Sequence, residues 1–289
     1  MTAAETACIH RPRARLVVCM AAIALSACAV DVPPAESGST TPMDRPMRPT
    51  SVASPSPVAT AWPATSDAPT PLPAGPSQLV DHGDRASKEV ALTFTVGYRL
   101  DPAVAIVELL RDRGAAATIF MSGVVFDRPE TRATAQRVLG IVEQLPELIQ
   151  LGQHGYAATE LTQLDIQAIE MDVLRAERTI GEYATADLRP YFSPPGGAWS
   201  PAALGVLGEL GYTTSVLWDV DPLDWMPPED GGPSPDEIVD RVLGDVQGGS
   251  IVLLHLGGWN TAEALPGILD GLAQRGYRTV TIAELLEGV

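Results

Sequence analysis

Residues 90–96 read Val-Ala-Leu-Thr-Phe-Thr-Val, a short run of apolar and β-branched residues that predicts a strand. The pattern of apolar residues changes after this run. In 103–113 apolar residues recur at spacings of three and four, which is typical of an amphipathic helix. A strand followed by a helix is the unit from which parallel sheets are built.

The same alternation repeats along the chain towards its last residues. Further strands are predicted at 116–121, 148–154, 213–220, 250–256 and 279–282. Further helices are predicted at 130–144, 161–183, 201–210, 235–246 and 262–275. So many βα units favour an α/β fold of the distorted (β/α) barrel type, over residues 88–289.

Polar and unusual residues follow the predicted strands at their carboxyl ends, where barrels of this kind place their chemistry. We therefore expect five separate segments to meet at one mouth. They are Thr95 with Val96, His154, the turn 193–197, the segment 221–225, and His255.

The start of the chain resembles a bacterial export signal. Arginines precede an apolar run at 16–25, too short for a permanent transmembrane helix, and Leu25-Ser26-Ala27-Cys28 resembles a lipobox. Residues 1–28 are therefore expected to be a lipoprotein signal with lipidation at Cys28, which anchors the protein to the membrane outside the cytoplasm. An ordinary secretory signal is the alternative. Residues 29–87, rich in Pro, Ser and Thr, are predicted to be a disordered linker.

Composition narrows the classes of partner. The formal net charge of −17 argues against nucleic acid and other polyanions, whose binding relies on clustered Lys and Arg. All three cysteines, Cys8, Cys19 and Cys28, lie in the leader, so the domain has neither an internal disulfide nor a thiolate metal site.

Three segments carry a family resemblance. Residues 217–225 read Leu-Trp-Asp-Val-Asp-Pro-Leu-Asp-Trp, and residues 249–255 read Gly-Ser-Ile-Val-Leu-Leu-His. Residues 276–286 read Gly-Tyr-Arg-Thr-Val-Thr-Ile-Ala-Glu-Leu-Leu. They resemble polysaccharide deacetylases with a NodB homology domain. These esterases use a bound divalent metal such as zinc to remove acetyl groups from glycans.

The metal-binding half of that family's site is missing from this sequence. The family's Thr-Phe-Asp-Asp-Gly motif stands here as Thr93-Phe94-Thr95-Val96-Gly97, so Thr95 takes the position of the general base and Val96 that of a metal ligand. His154 matches the first histidine ligand and Ala158 the second, while Ser193 replaces an arginine. One ligand of three is too few for a catalytic zinc site, so we expect no metal cofactor.

The proton-donor half is retained. The resemblance implies that His255 protonates the leaving group, that Asp224 tunes it, and that Trp225 borders the substrate cleft. Pro194, Pro195, Gly196 and Asp221 are expected to contribute to substrate binding. A buried structural histidine at 255, and an Asp221 that only braces its loop, are the plain alternatives.

Three functions remain open at this point. The leading one is a degenerate deacetylase-like lipoprotein that binds N-acetylated envelope glycan without efficient deacetylation. The second is an active deacetylase, either metal-free or with a metal site rebuilt from Asp101, Glu160 or Asp219, although Glu160 is expected to cap the following helix. The third is a non-catalytic scaffold that docks another envelope protein.

Overall fold

The computed structural model describes residues 75–287. The predicted leader, Cys28 and the linker up to residue 74 lie outside the described residues. Within 75–287, no helix has both the length and the apolar character that crossing a membrane requires.

Within residues 75–287, eight strands form one parallel sheet, and the strand order is β1-β6-β5-β4-β3-β2-β7, with β8 paired beside β2. One isolated parallel bridge, Val220 to Val252, links the segment after β6 back to β7. The fold is therefore the parallel α/β architecture that the sequence predicted. The strands are β1 Gln78–Val80, β2 Glu89–Thr95, β3 Ala117–Met121, β4 Ile149–Gln153, β5 Tyr191–Phe192, β6 Thr214–Val216, β7 Ile251–His255 and β8 Arg278–Val280.

In the described part of the chain, eight α-helices lie between or after these strands. Several begin at a side chain that accepts a hydrogen bond from the first helical turn, such as Asp165, Ser200, Ser234 and Thr281. The helices are α1 Ala103–Arg113, α2 Val124–Asp127, α3 Pro129–Val142, α4 Ile166–Gly181, α5 Pro201–Glu209, α6 Pro235–Asp245, α7 Thr261–Gln274 and α8 Ile282–Leu286.

The helix predicted over 161–183 is wrong at its start. Residues Leu161–Gln163 form a single 3-10 turn, and α4 begins only after Asp165, whose side chain accepts from the backbone N–H of Ala168 at 2.8 Å. A strong capping residue thus outweighs the apolar residues that precede it.

The strand predicted over 213–220 is also shorter than expected. β6 ends at Val216, after which the N–H of Leu217 donates to Val80 and those of Asp219 and Val220 donate to Ile251. The chain leaves its β5 partner here in order to cross towards β7, so it cannot continue the β5 ladder.

The ordered domain begins earlier than residue 88, because part of the predicted linker belongs to the sheet. β1 pairs with β6, the N–H of Ser77 donates to Leu204 at 2.8 Å, and the hydroxyls of Ser77 and Ser215 lie 2.7 Å apart. A strand of three residues is too short to show an apolar pattern in a proline-rich sequence.

The core surrounds β2, which pairs with three strands, β3, β7 and β8. Val90, Ala91, Leu92, Phe94 and Val96 have no exposed surface. Helices that pack on the sheet provide most of the remaining core. Because β2 is held rigidly between β3 and β7, its carboxyl end offers a fixed position for a functional side chain.

Candidate functional site

A cleft of about 510 Å³ opens at the carboxyl ends of the strands. All five segments expected to meet there contribute to it. The lining residues are Thr95, His154, Glu160, Gly196, Trp218, Asp221, Trp225, Leu253 and His255.

His255 and Asp224 form a closely held pair at one side of the cleft. The side-chain nitrogen Nδ1 of His255 lies 2.7 Å from Oδ1 of Asp224. Asp224 has no exposed surface, whereas the His255 side chain is 23% exposed. The carboxylate accepts the Nδ1 proton, so Nε2 at the other end of the ring is left for the cleft.

Asp224 has two further donors that fix its carboxylate. Its Oδ2 accepts the backbone N–H of His255 at 2.9 Å and the hydroxyl of Thr261 at 2.7 Å. Thr261 is the first residue of α7 and is fully buried. Sequence reasoning missed Thr261, because the pattern of α7 shows only an ordinary helix start.

The loop after β6 carries Asp221 and Trp225, which were predicted to lie on the same side of the cleft as His255. Oδ1 of Asp221 accepts the backbone N–H of Leu223 at 2.8 Å, and Leu223 has a positive φ of 65°. Asp221 therefore braces the loop and also lines the cleft. Trp225 is 49% exposed, so its ring is available at the rim.

His154 lies on the other side of the cleft and is buried. Its Nδ1 lies 2.6 Å from the carbonyl oxygen of Ser193. Because a carbonyl only accepts, Nδ1 carries the proton and Nε2 is an acceptor. Burial lowers the pKa of His154 to about 4, opposed by the bond to Ser193 and reinforced by His255. The imidazole is therefore neutral at pH 7.

The residues that stand at the family's other metal-ligand positions do not fit a metal ion. Val96 is fully buried and Ala158 carries a methyl group, and neither lines the cleft. Within the described part of the chain, no three His, Cys, Asp or Glu side chains are grouped so that they could hold a metal ion.

Asp219 and Asp101, two of the carboxylates considered for a rebuilt metal site, have other surroundings. Asp219 accepts from Arg85, from the hydroxyl of Ser250 and from the N–H of Ile251, all within 2.9 Å. Asp101 is 92% exposed beside Arg99. These contacts leave neither carboxylate facing the cleft.

Glu160 differs from its prediction. It precedes the 3-10 turn at Leu161–Gln163 but makes no side-chain capping bond. Its carboxylate accepts from Gln163 at 3.0 Å and lines the cleft near Gly196. The prediction that Glu160 caps the following helix is therefore wrong, because its side chain turns to the cleft instead.

Pro194 and Pro195 do not form the wall expected of them. Both are buried and neither lines the cleft, whereas Gly196 does. Gly196 and Gly197 have φ values of 62° and 66°, a region in which glycine is favoured, so the turn presents backbone to the cleft. The prolines fix this turn from beneath it.

Trp218 and Leu253 were also missed as lining residues. Trp218 is only partly buried and lines the cleft, and a β-carbon on Gly197 would lie 3.0 Å from its ring. A single tryptophan between Leu217 and Asp219 gives no sequence signal of which way its ring points.

A smaller groove of about 160 Å³ adjoins the cleft, because Trp225 and His255 line both. Gly97, Tyr98, Arg99, Gly257 and Trp259 complete it. Arg99 donates to the carbonyls of Gly257 at 2.6 Å and Gly258 at 3.0 Å, and its guanidinium lies 4.1 Å from the ring centre of Trp259. These contacts join the loops that follow β2 and β7.

The parallel α/β fold and the histidine–aspartate pair at the carboxyl ends of its strands agree with the class of NodB-type deacetylase folds. A family model described as polysaccharide deacetylase matches residues 82–215. A peptidoglycan-N-acetylglucosamine deacetylase of Bacillus cereus is 33% identical over 204 residues, which cover 69% of this chain and 88% of the relative. The chain belongs to the polysaccharide deacetylase family.

Two further comparisons show the range of similar proteins. A chitooligosaccharide deacetylase of Azorhizobium caulinodans is 25% identical over 185 residues, 64% of this chain and 81% of that protein. A crystal structure of a CE4 family pseudoenzyme from Bacillus anthracis superposes with a TM-score of 0.63 at 25% identity and covers 72% of this chain and 68% of that one. The comparisons thus include proteins named for deacetylation and one named as a pseudoenzyme.

Proposed function

We propose that this protein binds N-acetylated cell-envelope glycan in the cleft around His255 and Trp225, and that it has lost metal-dependent deacetylation. The observation that carries this proposal is the occupancy of the family's base and ligand positions by Thr95, Val96 and Ala158. A threonine hydroxyl does not act as a base at neutral pH, and neither valine nor alanine can bind a metal.

A glycan partner is supported by the aromatic residues at the mouth of the cleft. Trp225 is 49% exposed, and Trp218 lines the wall beside it. Large exposed rings are costly in water and are typical of binding surfaces, where their flat faces pack on apolar faces of a ligand. The named relatives act on peptidoglycan and on chitooligosaccharide, which makes N-acetylated glycans the first ligands to test.

Titration calorimetry with chitotetraose tests the binding. Wild-type protein is expected to bind, and Trp225→Ala to weaken the affinity by about tenfold or more, because the ring loses its contact area. Trp199→Ala is the matched control, since Trp199 is 41% exposed and does not line the cleft. Absence of binding to chitotetraose and to soluble peptidoglycan fragments would refute the proposal.

Metal content and acetate release test the loss of deacetylation. Protein purified with zinc in the buffer and then desalted is expected to retain far less than one zinc per chain and to release no acetate from N-acetylated chitooligosaccharides. Stoichiometric zinc together with turnover would instead establish an active deacetylase.

We also propose that the protein is exported and held at the outer face of the bacterial cell membrane by a lipid on Cys28. The charged start, the apolar run and the lipobox-like residues support this placement. Cys28→Ser is expected to abolish labelling with a fatty-acid analogue in cells and to release the protein from the membrane fraction. Unchanged labelling would overturn the proposal.

A further inference from the structure

Thr95 lies next to His255. Thr95 and His255 are direct register partners at the carboxyl ends of β2 and β7. Directly paired residues on adjacent parallel strands lie about 5 Å apart and point to the same face. Both side chains line the cleft, where Thr95 is 3% exposed.

We propose that Thr95, His255 and Asp224 form a metal-independent acyl-transfer site that hydrolyses small O-acyl esters, such as O-acetyl groups on sugars. This activity goes beyond glycan binding, and it does not use the missing metal ligands. It requires only water as co-substrate.

His255 is positioned as the base of this site. Its Nδ1–H donates to Asp224, a carboxylate held in place by Thr261 and by the backbone N–H of His255. Whenever the ring carries a single proton, that proton is on Nδ1 and the lone pair is on Nε2, the ring nitrogen not bonded to Asp224. A hydroxyl is a weak nucleophile at its own pKa and becomes effective only beside such an oriented base.

The reaction balances in two steps. The Thr95 oxygen attacks the ester carbonyl while its proton passes to Nε2 of His255, and collapse of the tetrahedral intermediate expels the alcohol, which takes that proton. Water then attacks the acyl-Thr95 ester, again giving a proton to His255. Release of the carboxylic acid returns the proton to the Thr95 oxygen.

Backbone donors for the developing oxyanion are available next to Thr95. Among the described residues, the N–H groups of Gly97 and Tyr98 donate to no other group, whereas that of Val96 donates to Phe120. Gly97 and Tyr98 line the groove that adjoins His255. Unused N–H groups beside a nucleophile are the usual source of oxyanion stabilisation.

Ester hydrolysis in the presence of EDTA tests this proposal, with 4-nitrophenyl acetate and O-acetylated xylan as probes. Thr95→Val removes the hydroxyl at constant shape, so we expect at least about a hundredfold loss of rate. Thr95→Ser keeps a hydroxyl and should stay within about tenfold of wild type. His255→Gln should lose as much activity as Thr95→Val.

Intact-mass spectrometry after an acid quench supplies an independent readout. Wild-type protein should carry one acetyl group that maps to Thr95, and Thr95→Val should carry none. No hydrolysis above buffer by wild type, an adduct elsewhere, or full activity in Thr95→Val would each overturn the proposal. Chitotetraose binding by Thr95→Val, measured in parallel, reports on the proposed glycan binding separately.

Discussion

At the scale of single residues, the site combines a retained pair with a substituted half, and the two differ in how firmly they are tied into the fold. Asp224 is fully buried and accepts three hydrogen bonds that connect the loop after β6, the end of β7 and the start of α7. Its loss would leave those donors unpaired, which gives a structural reason for its presence beside any catalytic one.

Thr261 tests how much the buried carboxylate depends on its donors. Thr261→Val removes the hydroxyl bonded to Asp224 and is expected to lower the free energy of unfolding by about 1–3 kcal/mol, the value of one hydrogen bond to a buried charged group. Urea unfolding measures it. Thr179→Val is the matched control, because Thr179 is also buried in a helix but its side chain makes no hydrogen bond among the described residues. Equal losses in both variants would contradict this account.

His154 predicts a specific dependence of stability on pH. Its pKa is about 4 when folded and 6.5 in the unfolded chain, so between these values only the unfolded state binds the proton. The free energy of unfolding is therefore unaffected by protonation of His154 above pH 6.5. It falls as the pH falls from 6.5 towards 4, by roughly 3 kcal/mol in total.

The measurement compares wild type with His154→Gln by urea unfolding in EDTA at several pH values. The variant lacks the titrating group, so its free energy of unfolding should fall less than that of wild type between pH 6.5 and 4. Parallel curves for the two proteins would show that His154 is not buried and neutral.

At the scale of elements, the start of the domain depends on a close contact between α5 and the segment before β1. A β-carbon on Gly208 would lie 2.0 Å from the carbonyl oxygen of Gly75, whereas one on Gly205 of the same helix meets nothing within 4 Å. The absence of a side chain at Gly208 therefore lets residues 75–80 reach β6.

Gly208→Ala is expected to destabilise the domain by about 1–3 kcal/mol, because the backbone of Gly75 must move away from α5. Gly205→Ala should be neutral or stabilising by up to about 1 kcal/mol, since alanine is the better helix former. Thermal unfolding of both variants, in a protein that includes residues 75–289, decides the matter. A neutral Gly208→Ala would mean that the segment does not dock on α5.

The elements also show what the sequence could and could not predict. Long periodic segments such as β2 and α1 were predicted almost to their ends, because burial on a sheet or along a helix face leaves a repeating pattern. β1 and β5 were missed, since two or three residues carry no period and their pairing is decided by distant strands.

Some residues of the candidate site could be predicted from the sequence, and others could not. Thr95, His154, Asp221 and His255 lie at or just after the carboxyl ends of predicted strands, so topology brought them into one cleft. Gly196 and Trp225 were predicted from the family resemblance instead. Glu160, Trp218 and Thr261 were not predicted as site residues, because their roles depend on side-chain direction and on one hydrogen bond across the fold.

At the scale of the whole molecule, charge separates two kinds of polysaccharide partner. The chain has a formal net charge of −17, and its cleft is lined by two tryptophans and two histidines, together with the carboxylates Glu160 and Asp221. An anionic polymer would be repelled over the distance of a Debye length, whereas an uncharged glycan would not. Binding should therefore depend on ring contacts and hydrogen bonds.

The affinity for chitotetraose is accordingly expected to change less than about twofold between about 50 and 500 mM NaCl, because screening alters only interactions between charges. Heparin, a polyanion, is the matched comparison and should not bind at either salt concentration. Titration calorimetry measures both. A steep loss of chitotetraose affinity with salt, or binding of heparin at low salt, would show that a charged patch and not the tryptophan-lined cleft controls recognition.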